Sequence, residues 1–207
     1  ALLTFGYYSK DFRLDASSET LLIEDDPDLK YLQEISKRYG SKEFLILTYT
    51  PRDGMIDDNS INNLLSLKYK IQSLDWVHSV ITLLDIPLLN SSDVSLQERL
   101  ENFKTLKDEE IDRERGFKEI VNSPVFRNFV ISEDGKTSGI IVNIKKNNEL
   151  NNVSDKSKQE IEKLKDKIKK QNHQNILEIR DVIKSYEDIG KIHLGGIPMI
   201  ADDMMTF

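Results

Sequence analysis

Phe44-Leu45-Ile46-Leu47-Thr48-Tyr49-Thr50-Pro51 is the stretch on which the fold turns. An apolar, β-prone run is stopped by proline, which predicts a buried strand. Asp53-Gly54 follows as a turn. Asp58-Asn59-Ser60 then supplies a helix cap, and Ile61, Leu64, Leu65, Leu67, Ile71 and Leu74 place an apolar face along residues 60–74. Val77-His78-Ser79-Val80-Ile81-Thr82-Leu83 is β-rich and partly alternating, so it predicts a second strand. Strand, helix and strand within about forty residues form a βαβ unit, and such units connect parallel strands with a right-handed crossover.

On the N-terminal side, Asp26-Pro27-Asp28 signals a helix start, and Leu32, Ile35 and Tyr39 continue it up to Gly40, predicting a short amphipathic helix over 28–39. On the other side, residues 88–123 interrupt the pattern as a mostly polar helical insert. Ser92, Asp93 or Ser95 is placed to cap a helix bearing Leu96, Leu100, Phe103 and Leu106; a charged stretch and a short helix with Phe117, Ile120 and Val121 follow, ending at Pro124. Phe126–Ile131 and Gly139–Ile144 flank Ser132-Glu133-Asp134-Gly135-Lys136-Thr137, and Asp-Gly between two β-rich runs predicts a hairpin. After the polar loop Asn147–Asn152, Ser154 or Asp155 opens a long helix carrying Ile161, Leu164, Ile168, Ile176, Ile179, Ile183 and Tyr186, with a kink or break expected at Gln171–Asn175. Ile192-His193-Leu194 is a last strand. Two βα units joined by a hairpin strand predict an α+β sandwich of the ferredoxin-like kind, with helices covering one face of a mixed sheet. The insert or a partner is left to cover the other face.

The composition narrows the function. The chain has 207 residues, 38% hydrophobic and 31% charged, with a formal net charge of -7 and a pI near 5.1. That balance argues against nucleic acid and against docking on anionic lipid heads, both of which select basic surfaces. There is no cysteine, hence no disulfide or thiolate metal site. His78, His173 and His193 lack the spacing of a helical metal pair and read as structural. Gly195-Gly196 has no phosphate-loop context. The acid pairs Asp25-Asp26, Asp57-Asp58, Glu109-Glu110 and Asp202-Asp203 mostly flank helix starts, where carboxylates favour the helix dipole. Lys156–Lys170 alternates with acids as a solvated helix face. No catalytic, cofactor or metal residues are therefore expected.

Several phrases, in order, resemble the first extracytoplasmic loop of resistance-nodulation-division (RND) exporters, in the branch with the MMPL and the hopanoid or sterol lipid transporters. They are Phe12-Arg13-Leu14-Asp15-Ala16-Ser17-Ser18-Glu19-Thr20-Leu21; Pro27 and the helix Tyr31–Tyr39; Glu43–Thr50; Leu74-Asp75-Trp76-Val77-His78-Ser79-Val80; Val130–Thr137 with its Ser-x-Asp-Gly; and Ile192-His193-Leu194-Gly195-Gly196-Ile197-Pro198. The departures are the insert 88–123 and the Asn-rich loop 145–155. Both apolar ends, Ala1–Tyr8 and Met199–Phe207, are read as segments cut short between two membrane helices. The resemblance implies a membrane-proximal segment 1–27, a porter domain 28–198, and a segment 199–207 leading to the second membrane helix.

Such transporters run on proton motive force through acids in their membrane helices, while their porter domains bind and pass hydrophobic cargo. The resemblance thus implies a periplasmic porter domain that binds or guides lipid-like cargo. Its partners would be the transmembrane helices and second porter domain of its own transporter, and the resemblance allows the full-length protein to be a monomer or an oligomer, dimer or trimer. An open sheet face suits apolar ligands. Phe103, Phe117, Phe126 and Phe129, on or beside the insert, are the candidate cargo contacts. The alternative is a stand-alone α+β module that uses the same sheet for protein contacts.

Overall fold

A computed structural model of the chain describes residues 43–91, 103–146 and 157–206, together with Tyr31 and Glu34, both helical. The remainder of the expected helix 28–39, the segment 1–27, Leu96, Leu100 and the caps Ser154 and Asp155 lie outside the described residues.

Four strands are described: β1 (Phe44–Pro51), β2 (Val77–Ile81), β3 (Ser138–Ile144) and β4 (Gly190–Gly195). The described helices are α1 (Asp58–Gln72), α2 (Arg113–Asn122), α3 (Lys158–Lys184) and α4 (Ile197–Thr206). The strands lie in the order β2-β3-β1-β4, and every neighbouring pair is antiparallel. This corrects the mixed sheet expected from the sequence. β1 and β2 do run the same way, as a βαβ unit requires, but β3 lies between them and opposes both. Likewise β3 and β4 run together with β1 between them. The result is an α+β sheet of two interleaved, split βαβ units.

Burial shows which side of that sheet is covered. Along β1, Leu45, Leu47 and Tyr49 are fully buried while Phe44 and Ile46 are exposed. β3 turns Ile140 and Val142 to the same covered side, and β2 turns Val77 and Val80 there. Against them pack Ile61, Leu64, Leu67 and Ile71 of α1 and Ile176, Ile179 and Val182 of α3. Each such side chain, fully buried, stabilises the fold by about 1.5–3 kcal/mol. The Trp76 indole donates to Glu178 on α3 at 3.0 Å, fixing the start of β2 to that helix.

Local structure departs from the sequence pattern in five places. Asp57, not Asp58–Ser60, is the N-cap of α1; its carboxylate turns back to accept from the Gly54 amide at 2.6 Å, and Ser60 is buried inside the first turns. Phe103–Thr105 is extended and Leu106 begins a turn where a helix was expected. Leu88 and Leu106, each 1% exposed, are drawn into the core, and the Leu88 amide donates to the Lys104 carbonyl at 2.8 Å. Phe126–Val130 is a turn, so the first arm of the expected hairpin is reduced to Ile131, which pairs antiparallel with Ser138 and is flanked by the Ser132 amide donating to the Thr137 carbonyl at 2.9 Å and the Gly139 amide donating to the Val130 carbonyl at 2.7 Å. The Phe126 carbonyl accepts from the amides of Phe129 and Val130, and Asn128 adopts the left-handed conformation (φ 63°).

The Asp-Gly turn itself forms as expected. Gly135 takes φ 69°, and the Asp134 carboxylate accepts from the Ser132 hydroxyl at 2.6 Å and the Lys136 amide at 3.1 Å. Those bonds, the hydroxyl's first, hold Asp134 below the usual carboxylate range. The fourth departure is α3, which begins with a Ser157–Glu160 capping box and runs unbroken through Gln171–Asn175. The polar patch there is the seat of α4: the Asn172 amide donates to the Pro198 carbonyl at 2.9 Å, and His173 Nδ1 lies 3.0 Å from the Asp202 carboxylate. Finally, Asp202 and Asp203 sit within α4 and not at a helix start; Asp202 is 2% exposed, and Asp203 accepts from Arg180 at 2.7 Å. No helix among the described residues is long and apolar enough to cross a membrane.

Candidate binding surface

Both crossover helices land on one side of the sheet, and among the described residues the opposite side carries no helical layer. Successive strand residues point to opposite faces, and the register therefore defines what this open side carries. One row runs Ile81–Ile141–Ile46–Gly195 across all four strands. The next contains Ser79 and Asn143, bonded to each other at 2.9 Å, and Phe44. On the other flank come Gly139, Thr48 and His193, and then Thr50 and Lys191. Phe44 is 46% exposed, and Ile46 and Ile81 are each 39% exposed. The result is an apolar strip with a polar border on an otherwise charged protein.

A second apolar stripe lies on α4. A Cβ at Gly196 (φ 121°) would stand 3.1 Å from the Phe44 carbonyl, so the chain enters α4 in contact with β1, at a position where only glycine fits without strain. From there Ile197, Ile200 and Met204 are exposed at helical spacing, while Ala201 and Asp202 face inward. α4 thus turns its apolar stripe outward and its carboxylate inward.

The described part of the insert is anchored on the covered side. Leu88, Leu106, Ile111 and Ile120 belong to the main core. Asp85, after β2 in a 3-10 turn (Leu83–Asp85), accepts from Lys68 of α1 at 2.5 Å and from Lys107 of the insert at 3.1 Å. Burial alone would raise the Asp85 pKa; the Lys68 ammonium, the Thr82 amide and the Lys107 ammonium outweigh it and hold the group below the usual carboxylate range. Glu119 of α2 acts the same way at the insert's entrance. Burial is opposed by the Ser91 hydroxyl (2.7 Å) and by the amides of Asn90 and Leu89, so its pKa is also lowered. Arg115 adds a bond to the Asn90 carbonyl at 2.9 Å.

Of the four phenylalanines singled out from the sequence, Phe117 and Phe126 are half-buried against the core. Phe103 and Phe129 are exposed, at 52% and 66%. Phe129 borders the open face, since its carbonyl lies 3.0 Å from where a Gly139 Cβ would stand. Phe117 supports the Asp134-Gly135 turn, 3.2 Å from the corresponding point at Gly135. None of the four occupies the strip itself. The strip residues Ile46, Ile81 and Ile141 were not singled out from the sequence. The signal that bears on them is the handedness of the two crossovers, which sends both helices to one face of an interleaved sheet.

A groove of about 530 Å³ lies elsewhere, along α3, lined by Lys163, Asp166, Lys167, Lys170, Gln171 and Gln174. Its lining is charged or amide throughout, which is the wrong chemistry for apolar cargo. Among the described residues there is no cluster of three or more His, Asp or Glu able to hold a metal. Compared with known proteins, the chain matches no family model and no curated protein.

Proposed function

We propose that the chain is the extracytoplasmic porter domain of an RND-type transporter driven by proton motive force, and that its open sheet face binds or guides hydrophobic, lipid-like cargo for export. The observation that carries the reading is the exposed strip Phe44, Ile46, Ile81 and Ile141 on a four-stranded antiparallel sheet whose other face is packed by α1 and α3. The strand order β2-β3-β1-β4 with antiparallel neighbours supports the ferredoxin-like framework expected of a porter domain. The ordered phrases in the sequence point the same way. Covering each half-exposed strip residue with an apolar ligand contributes on the order of 1 kcal/mol, so several together bind a chain-like ligand without strong polar contacts.

In this reading the chain's own residues supply a surface and no chemistry. The antiparallel ladder holds the strip rigid, and the Asn143–Ser79 bond keeps polar groups beside it satisfied. The proton-coupled step belongs to the membrane helices of the whole transporter.

Native mass spectrometry of the purified 207-residue chain, after incubation with a bacterial total lipid extract, tests the reading. The expected result is a retained lipid mass that is lost when Ile46→Asp is introduced into a chain that still folds by circular dichroism. A folded wild-type chain that retains no lipid overturns the cargo role and leaves the open face as a protein-contact surface.

A further inference from the structure

We infer that the ligand of the open face is a monomeric anionic amphiphile, a long-chain carboxylate, with its chain across Ile81, Ile141 and Ile46 and its head toward His193 and Lys191; this rests on the cargo-surface reading above. The argument is one of sign and direction. The chain carries 36 acidic residues and a net charge of -7. Yet no strand position on the open face is acidic: β1 presents Phe44, Ile46, Thr48 and Thr50, β2 presents Ser79 and Ile81, β3 presents Gly139, Ile141 and Asn143, and β4 presents Lys191, His193 and Gly195. A local reversal of sign on an acidic protein sets which ligand charge is accepted there.

The face is also polarised. Its β2 side is apolar or internally bonded, at Ile81 and at the Ser79–Asn143 pair. Its β4 side carries the exposed Lys191 and His193. Three inter-strand steps of ~4.8 Å separate Ile81 from β4, and His193 and Lys191 lie two and four residues along β4 from Gly195, ~7 and ~14 Å, so the alkyl chain runs obliquely from the apolar row toward the charged end. Gly195, next to Ile46 in the apolar row, brings no side chain, and a Cβ there would meet only the Ile46 carbonyl at 3.8 Å. It leaves a shallow passage from the strip toward His193. Thr48, paired with His193, adds a hydroxyl beside the head position. One lysine is too little for a nucleic acid, which takes a tract of cations. It is also too little for an anionic bilayer surface, which is held by clusters of lysine and arginine. A single head group fits the count.

The test uses the full chain with 13C-methyl-labelled isoleucine, titrated with decanoate and, separately, with its uncharged twin decanol. Decanoate is expected to shift the Ile46, Ile81 and Ile141 methyls. Lys191→Glu weakens decanoate about tenfold, the loss of one charge-assisted contact, and leaves decanol unchanged. Ile46→Asp removes both ligands, with circular dichroism confirming that each variant folds. If decanoate and decanol bind alike and Lys191→Glu changes neither, the anionic head is overturned while the cargo surface stands. If neither ligand moves those methyls, the cargo surface falls as well. If the methyls respond only to phosphatidylglycerol vesicles, the face reads a lipid surface and the monomeric ligand is overturned.

Discussion

Leu47 and Ile46 are neighbours in one strand, similar in size and hydropathy, and they stand on opposite sides of the sheet. Leu47 is fully buried beneath the helices, whereas Ile46 is 39% exposed. The covered face is apolar along its strands, whereas the open face is polar except for the row Ile81–Ile141–Ile46 and Phe44 beside it. On the covered face, apolar character is accounted for by folding. On the open face it is not, because a β-strand facing water is ordinarily polar on that side. An apolar row that the fold does not use is therefore the part of the molecule most open to a functional explanation.

The sharpest way to break this comparison is Leu47→Ala. Removing a fully buried leucine from the centre of the sheet is expected to cost about 3 kcal/mol, the lost transfer energy plus the cavity left behind. The fall in the urea midpoint of unfolding measures it, with the slope unchanged. A loss under about 1 kcal/mol means that the covered face is not the stabilising core.

The covered face also depends on a polar clasp, and Asp85→Asn sharpens its role. Lys68 is 9% exposed and donates to Asp85 at 2.5 Å. Neutralising the partner leaves a nearly buried cation uncompensated, at an expected cost of about 2 kcal/mol near neutral pH. The sign with pH follows from the lowered pKa of Asp85 in the folded chain. A depressed carboxylate contributes its full stabilisation above the unfolded pKa, near ~3.9, and loses it as the pH falls through the lower folded value. The gap between wild type and Asp85→Asn is thus widest at neutral pH and closes under acid. A gap that stays constant from pH ~7 to below ~3 assigns the loss to packing and not to charge.

How far the sequence revealed these features depends on the range of the interactions involved. Phe44–Tyr49 is legible as a strand because the run and Pro51 are local signals, and α1 is legible because Ile61, Leu64, Leu67 and Ile71 keep a helical period. Gln171–Asn175 looked like a weak point in a helix because its polar residues find their partners 26 to 29 positions away, at Pro198 and Asp202. Leu106 keeps a helical spacing with Leu96 and Leu100, but it is buried in a turn that follows the Leu88–Lys104 pairing. The candidate surface was the least legible part. Within Phe44–Tyr49, nothing local distinguishes Ile46 from Leu47; the difference is made by two helices more than ten residues away in the chain, both landing on one face. Choosing aromatics on or beside the insert leads instead to Phe117 and Phe126, which serve the core, and to the exposed Phe103 and Phe129.

The smallest expected change in stability carries the most information about function. Ile46→Thr keeps the branched Cβ that suits a strand, and it removes apolar surface only from the open face. Since Ile46 already meets water, stability is expected to stay within about 0.5 kcal/mol of wild type, as for surface substitutions in general. The same substitution at Leu47 places a hydroxyl among Leu64, Ile140 and their neighbours in the core and is expected to be severe, because a buried hydroxyl without a partner costs about 1–3 kcal/mol in addition to the lost packing. If Ile46→Thr proves as damaging as its Leu47 counterpart, the open face is part of the folding core and its apolar row needs no ligand. If it is silent in urea unfolding yet weakens amphiphile binding, the apolar row is maintained for a partner, since the fold is equally stable without it.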